Sequence, residues 1–159
     1  MKSSGCIVIV LVLILGTAGC RKSGEGPVSE AGSYAVSDKK TKGPLEVTLS
    51  LDKKEVTLAD TFEAVLSMKI KRGYTLSVNE DVLLGNEEFI VRDLKEKSEA
   101  DTESRHITKI YTIEPNFTGK LTIPSLTVSF RKEQGEDEKY TVVTEPLSVT
   151  AVSYTHLTL

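Results

Sequence analysis

The two cysteines are the residues whose surroundings point most directly to chemistry. Residues 6–15 are an unbroken apolar run that begins at Cys6, and small residues at 16–19 lead to Cys20. An apolar run of about ten residues is typical of a signal peptide and is too short to cross a bilayer core of roughly 30 Å. We therefore predict a signal peptide over residues 1–19.

The Ala-Gly-Cys sequence that ends at Cys20 resembles the lipobox of bacterial lipoproteins, with Thr17 where leucine is commoner. The resemblance implies cleavage before Cys20, a diacylglyceryl thioether on its sulfur and usually an acyl chain such as palmitate on its amino group. Two or more chains anchor a protein stably, whereas one does not. The alternative is an ordinary secretory signal in which Cys20 is incidental. Lipidation of Cys20 would leave the mature chain without a thiol for a disulfide, redox or metal site.

The remaining side chains do not form a recognisable catalytic motif. The sequence has no P-loop, dinucleotide-binding glycine pattern, nucleophile elbow or zinc-protease motif. His156 lies in a tail that we interpret below as non-native, and His106 alone, without cysteine, cannot build a zinc site. We therefore expect no catalytic residue, no metal, no cofactor and no enzyme. A weak calcium site between loops is the alternative, because carboxylates are plentiful at Asp81, Glu87, Glu88, Asp93 and residues 136–138.

Length and charge limit the remaining functions. A chain of 159 residues is long enough for one domain of ordinary size. Its formal net charge of −3 leaves no basic footprint for nucleic acid, so we expect no nucleic-acid partner. Residues 21–43 are rich in serine, glycine and lysine and lack hydrophobic periodicity. With Cys20, they predict a flexible, lipid-bearing tether over residues 20–43.

From residue 44 onward, apolar residues alternate with polar ones, which is the pattern of half-buried antiparallel strands. The alternating runs lie at 45–51, 62–70, 89–94, 107–113, 121–123, 126–130, 140–142 and 147–149. We predict about seven or eight strands over residues 44–151, folded as an immunoglobulin-like antiparallel β-sandwich without a disulfide. The charged stretches 96–105 and 131–139 are expected to be solvated hairpin loops.

Residues 111–130 read as a strand, a turn, a second strand, a change of phase and a third strand. Pro115 cannot donate to a strand ladder and is expected to end the first strand. Gly119 allows the positive φ that returns the chain. The apolar alternation changes phase at Pro124, which predicts a bulge or a crossing between sheets.

This segment, together with residues 51–62 and 144–149, resembles the BatD family of oxygen-tolerance proteins. The pattern is Tyr-x-Ile-x-Pro, three residues, Gly-x-Leu-x-Ile-Pro, and later Thr-x-Pro-Leu-x-Val, over about residues 45–150. Ala59 departs from the glycine that often precedes the aspartate. The resemblance implies envelope-facing immunoglobulin-like repeats, a membrane segment near the C-terminus and no catalytic residues. It also implies neighbouring genes for von Willebrand A-type proteins and a MoxR-type ATPase.

Residues 152–159, VSYTHLTL, match a translated sequencing adapter residue for residue. We interpret them as a non-native tail, leave them out of the fold prediction, and expect the natural protein to continue past about Ala151.

Taken together, these features predict a lipid-anchored, non-catalytic interaction or assembly module in the bacterial cell envelope. Its domain would lie on the non-cytoplasmic side of a membrane, facing the periplasm if the cell is Gram-negative. The expected partner, beyond the membrane itself, is an envelope protein such as a von Willebrand A-type protein. The alternative is a carbohydrate- or ion-binding envelope lipoprotein, although the chain lacks tryptophan for stacking on a sugar.

Overall fold

A computed structural model describes residues 34–134 and 138–153 of the chain. The predicted signal peptide, Cys20, the first part of the predicted tether and most of the predicted tail with His156 lie outside the described residues. The same is true of residues 135–137 within the charged stretch 131–139.

The described residues form an all-β fold, which confirms the predicted fold class. Apart from one four-residue helix, α1 (Asp81–Leu84), every element is a strand, and no helix in this part of the chain is of the kind that spans a membrane. The strands are β1 (Val36–Lys42), β2 (Leu45–Leu51), β3 (Glu55–Thr57), β4 (Phe62–Lys71), β5 (Tyr74–Asn79), β6 (Phe89–Ala100), β7 (Ser104–Pro115), β8 (Gly119–Ile123), β9 (Thr127–Lys132), β10 (Tyr140–Val143) and β11 (Leu147–Val152).

One layer of the sandwich is a five-stranded antiparallel sheet in the order β1-β2-β4-β7-β6. Its register places Leu49 opposite Leu66 and Ala64 opposite Tyr111, so alternate residues of neighbouring strands share one face. That face is apolar and buried, whereas the other face is largely polar, as the period of two requires.

The opposite layer consists of two three-stranded sheets, β10-β9-β5 and β3-β11-β8. The chain passes from one sheet to the other at residues 124–126, which follow β8, and again at residues 144–146, which precede β11. The first passage confirms the crossing between sheets predicted at Pro124. Pro115 ends β7 and Gly119 has a φ of 119°, as predicted.

Both layers contribute to a single apolar core. Leu49, Leu66 and Ile113 from the five-stranded sheet belong to the same buried cluster as Val128 and Val149 from the opposite layer. The alternating runs found in the sequence supply most of this cluster. The hydrophobic burial that stabilises the fold is therefore continuous across the two sheets of the second layer.

The predicted tether is wrong for residues 36–42, which form β1. All seven residues of this strand pair with β2 in regular antiparallel register. The sequence does not reveal this strand, because three of its four inward positions carry Asp38, Lys40 and Lys42, and only Val36 is apolar. These groups bond to the opposite layer: Lys40 Nζ lies 2.8 Å from Glu145 Oε1, and Glu145 N–H donates to Asp38 Oδ2 at 2.9 Å.

The charged stretch 96–105 is also not a loop. Residues 96–100 continue β6, residues 104–105 begin β7, and the turn between them is only three residues long. An edge strand that is exposed on both faces does not need apolar alternation. The charged residues of this part of β6 therefore have the sequence pattern of a loop. The chain has eleven strands in its described part, and not seven or eight. β1 and β3 carry too little apolar alternation to be recognised, whereas β5 does alternate, at Tyr74, Leu76 and Val78, and was not predicted.

Candidate interaction surface

His106 and Asp93, two of the candidate side chains found in the sequence, are exposed and lie on different strands. His106 lies on the exposed face of β7, where its Nε2 is 2.9 Å from Ser67 Oγ. Asp93 pairs with Lys95 on β6 at 3.5 Å, and both are exposed. Residues 34–134 and 138–153 contain no group of three histidine, cysteine, aspartate or glutamate side chains that could hold a metal ion.

One charged cluster lies at the inner face of the five-stranded sheet. Lys109 pairs with Glu80, and its Nζ is 3.1 Å from Glu96 Oε2. Burial alone would lower the pKa of Lys109, but its bonds to Glu80 and Glu96 outweigh that effect and raise it. The Tyr111 hydroxyl is buried nearby and has no hydrogen-bond partner among the described residues, and burial and the charge of Glu80 raise its pKa. Because the charge of Lys109 is balanced by the carboxylates of Glu80 and Glu96, we interpret the cluster as structural.

A more exposed feature is the end of the sandwich where the turns meet. Gly43, with a φ of 56°, joins β1 to β2, and Gly73, with a φ of 82°, joins β4 to β5. Backbone hydrogen bonds connect the turns: Lys71 N–H donates to Pro44 O at 3.1 Å, and Glu133 N–H donates to Gly73 O at 2.9 Å. We call this the turn end, formed by residues 42–44, 71–74, 100–104, 132–134 and 138–140.

The two ends of the described chain lie together at the opposite end of the sandwich. Ala35 N–H donates to Leu51 O at 2.8 Å, and Leu58 N–H donates to Val152 O at 3.2 Å. We call this the terminal end, formed by residues 34–35, 52–61, 116–118 and 153. The chain therefore enters and leaves the described domain on the side away from the turn end.

The turn end carries an open groove with an aromatic floor and walls. Phe130 is the buried floor; the ring of Tyr140 stacks on it with centroids 5.4 Å apart, and the ring of Tyr74 meets it edge-on at 6.2 Å. Pairs of aromatic rings at these distances attract each other beyond simple burial. The groove has a volume of about 520 Å³.

Polar groups border the same groove. The Tyr140 hydroxyl donates to Glu138 Oε2 at 2.6 Å, and Lys42 Nζ donates to the carbonyl oxygen of Thr141 at 3.1 Å. Lys132 and Gln134 complete the rim. Concave sites with apolar walls and a few polar groups at the edge are typical of binding sites, so the groove is suited to hold an apolar side chain or a flat ring.

The sequence pattern does not bring these residues together. Phe130 and Tyr140 belong to two separate alternating runs, 126–130 and 140–142, and Tyr74 lies in none of the predicted runs. The groove arises from the pairing of β5 and β10 with β9, which places Leu76 and Tyr140 opposite Phe130 and puts Tyr74 two residues further along. The only local signal was an aromatic residue directly after the turn glycine Gly73.

The fold and the surface define a class of protein: a β-sandwich with an open aromatic groove at one end. The chain belongs to the BatD family, because the family model described as the BatD DUF11-like domain matches residues 49–151, more than half of its length. This confirms the resemblance found in the sequence, and the domain is not one of known catalytic activity. Neither the comparison with curated proteins nor that with solved structures gave a match.

Proposed function

We propose that this protein is a lipid-anchored, non-catalytic module of the bacterial cell envelope whose turn end binds a partner protein. The observation that carries the proposal is the aromatic groove of Tyr74, Phe130 and Tyr140. Tyr140 is 38% exposed although it is a large aromatic side chain, and aromatic residues of this kind are enriched in protein interfaces.

The direction of the chain supports the choice of surface. The chain enters the domain at the terminal end, so a lipid on Cys20 would hold that end near the membrane. The turn end would then face away from the bilayer, where another envelope protein has access to it. A von Willebrand A-type domain is the first partner to test, because the BatD resemblance implies such a neighbour.

Affinity capture of the full-length lipidated chain from its own envelope tests this proposal. The purified candidate partner should bind the wild-type chain, and Tyr140→Ala should weaken binding about tenfold or more, because truncating a central aromatic anchor costs about 2 kcal/mol. Phe117→Ala is the matched control, since Phe117 is 62% exposed but lies at the terminal end. Equal binding by the Tyr140→Ala chain, with its β-sheet circular dichroism intact, would contradict the proposal.

Carbohydrate binding at the same groove is a second candidate function. The observation that favours it is that two tyrosine rings line the same groove as Gln134 and Glu138. Sugars stack on aromatic faces and bond to amides and carboxylates. Calorimetric titration of the full chain with envelope glycan fragments separates the two functions. Saturable heat that disappears in Tyr140→Ala would favour the sugar, and its absence would favour the protein partner.

A further inference from the structure

Resting on the proposed function, we infer that the turn end recognises an acidic segment of its partner. A carboxylate of that segment binds in a pocket formed by Lys71, Arg72 and Arg105, while a nearby apolar side chain of the same segment occupies the aromatic groove. We call the first of these the cationic pocket.

Three elements bring these cations together. Lys71 ends β4, Arg72 follows it in the turn, and Arg105 comes from β7, where it is paired with Ile70. Arg72 N–H donates to Glu103 O at 2.9 Å, and Arg105 Nη2 donates to Tyr74 O at 3.4 Å. The first bond holds the backbone at Arg72, and the second holds the side chain of Arg105. The pocket has a volume of about 330 Å³ and is completed by Gly73, Tyr74, Ala100 and Glu133.

The charges of the pocket are not matched within the described part of the chain. Every ion pair found there uses another cation, namely Lys39, Lys40, Arg92, Lys95 or Lys109. Single unpaired cations are ordinary on a protein surface. Three cations that line one concave site with one carboxylate, Glu133, are less ordinary in a chain of net charge −3. Asp101 and Glu103 line an adjoining pocket with Lys71 and Arg72, and Asp101 is bonded within its own turn. Guanidinium groups bind carboxylates with paired hydrogen bonds, so an acidic side chain is the complementary ligand.

The cationic pocket and the aromatic groove share a wall. Tyr74 lines both, with Gly73 and the cations on one side and Phe130 on the other. The shared wall is this one side chain, and an extended chain spans about 7 Å in two residues. An extended segment that crosses Tyr74 would therefore place an acidic residue and an apolar residue about two positions apart into the two sites.

Anionic lipid is the competing ligand for such a group of cations. The position of the pocket argues against it, because the turn end lies opposite the end at which the described chain begins, and the proposed anchor precedes that point. An acidic protein segment is the ligand that fits both the charge of the pocket and the apolar character of the neighbouring groove.

Fluorescence polarisation with the full-length chain in detergent tests the inference. The probe is a fluorescein-labelled peptide in which one Asp and one Phe lie two positions apart within a Gly-Ser sequence. Two control peptides replace the Asp by Lys or the Phe by Ser. We expect saturable binding of the first peptide, weakened by added salt, and at least about fivefold weaker binding of either control.

Charge reversal by Arg72→Glu should weaken binding of the acidic peptide about fivefold or more. Lys54→Glu makes the same charge change at the terminal end and should leave binding within about twofold. Equal binding of the Asp and Lys peptides, or no effect of Arg72→Glu, would overturn the inference. Binding only to vesicles of phosphatidylcholine and phosphatidylglycerol, and not to the peptide, would overturn it in favour of lipid.

The same variants separate this inference from the function on which it rests. If the purified partner protein loses binding with Tyr140→Ala but keeps it with Arg72→Glu, the acidic-segment inference fails and the proposed function stands. Binding of the partner that neither substitution changes would contradict both.

Discussion

Thr144 shows how a single polar side chain holds the second layer of the sandwich together. It is only 2% exposed, and it lies where the chain passes from β10 to β11. Its Oγ1 accepts a hydrogen bond from Leu126 N–H at 3.0 Å, and its own N–H donates to Leu126 O at 3.1 Å. The two passages between the sheets are therefore bonded to each other at this point.

Replacing Thr144 by Val should destabilise the protein by about 1–3 kcal/mol, because the buried Leu126 N–H would lose its partner. Urea unfolding followed by circular dichroism measures the change. Thr141→Val is the control: Thr141 is exposed on β10, and its substitution should change the free energy of unfolding by less than about 0.5 kcal/mol. A Thr144→Val chain as stable as wild type would show that the passages are held by packing alone.

Asp101 is expected to give the β6–β7 turn an acid-dependent stability. Its carboxylate accepts hydrogen bonds from the backbone N–H groups of Ser104 and Glu103 and from the Ser104 hydroxyl, and these lower its pKa from 3.8 to about 2. Since the pKa is lower in the folded chain, the stabilisation is present above the ordinary value and is lost as the pH falls from about 4 to about 2.

Asp101→Asn should therefore lower the melting temperature at neutral pH, and the difference from wild type should shrink between pH 4 and pH 2. Melting curves at a series of pH values measure this. Glu103→Gln is the control, because it removes a charge from the same turn but leaves the Asp101 carboxylate and its hydrogen bonds in place. Its effect on the melting temperature should not change between pH 4 and pH 2 in the same way. A difference that stays constant down to pH 2 would contradict the assigned role of the carboxylate.

Among the secondary-structure elements, the sequence predicts correctly the strands that have one face in the core and the other in solvent. β2 alternates strictly and β4 alternates except at Val65, because one face packs in the core and the other contacts water or polar neighbours. The crossing at Pro124 was also predictable, since an out-of-phase alternation changes which face is buried. At these positions the apolar pattern of the sequence is enough to predict which side chains are buried.

The sequence does not reveal a strand that has no apolar face. β1 directs Asp38, Lys40 and Lys42 inward, where they bond to the opposite layer, and the second half of β6 is exposed on both sides. Charged edge strands of this kind protect a sheet from pairing with other chains, and they look like loops in the sequence. The turn end was not predictable for another reason: Lys42, Tyr74 and Tyr140 are far apart in the chain, and only the long-range register brings them together.

For the whole molecule, the proposed anchor and the fold together predict an orientation relative to the membrane. The 12-residue strand β7 spans roughly 40 Å at about 3.3 Å per residue, from the turn end to the terminal end. The tether that the sequence predicts between Cys20 and Tyr34 would have a root-mean-square length of roughly 20 Å. The terminal end should therefore remain close to the bilayer, and the turn end should lie tens of ångströms further out.

Spin-labelled phospholipid in vesicles tests this orientation on the lipidated chain. A fluorophore attached at Phe117→Cys, at the terminal end, should be quenched more strongly than one at Thr102→Cys, at the turn end, because quenching by a spin label falls steeply with distance. A Cys20→Ala chain, which lacks the lipid attachment point, should show little quenching at either position. Stronger quenching at Thr102→Cys would place the turn end at the membrane, and the aromatic groove and the cationic pocket would then be a lipid-binding surface instead of a protein-binding one.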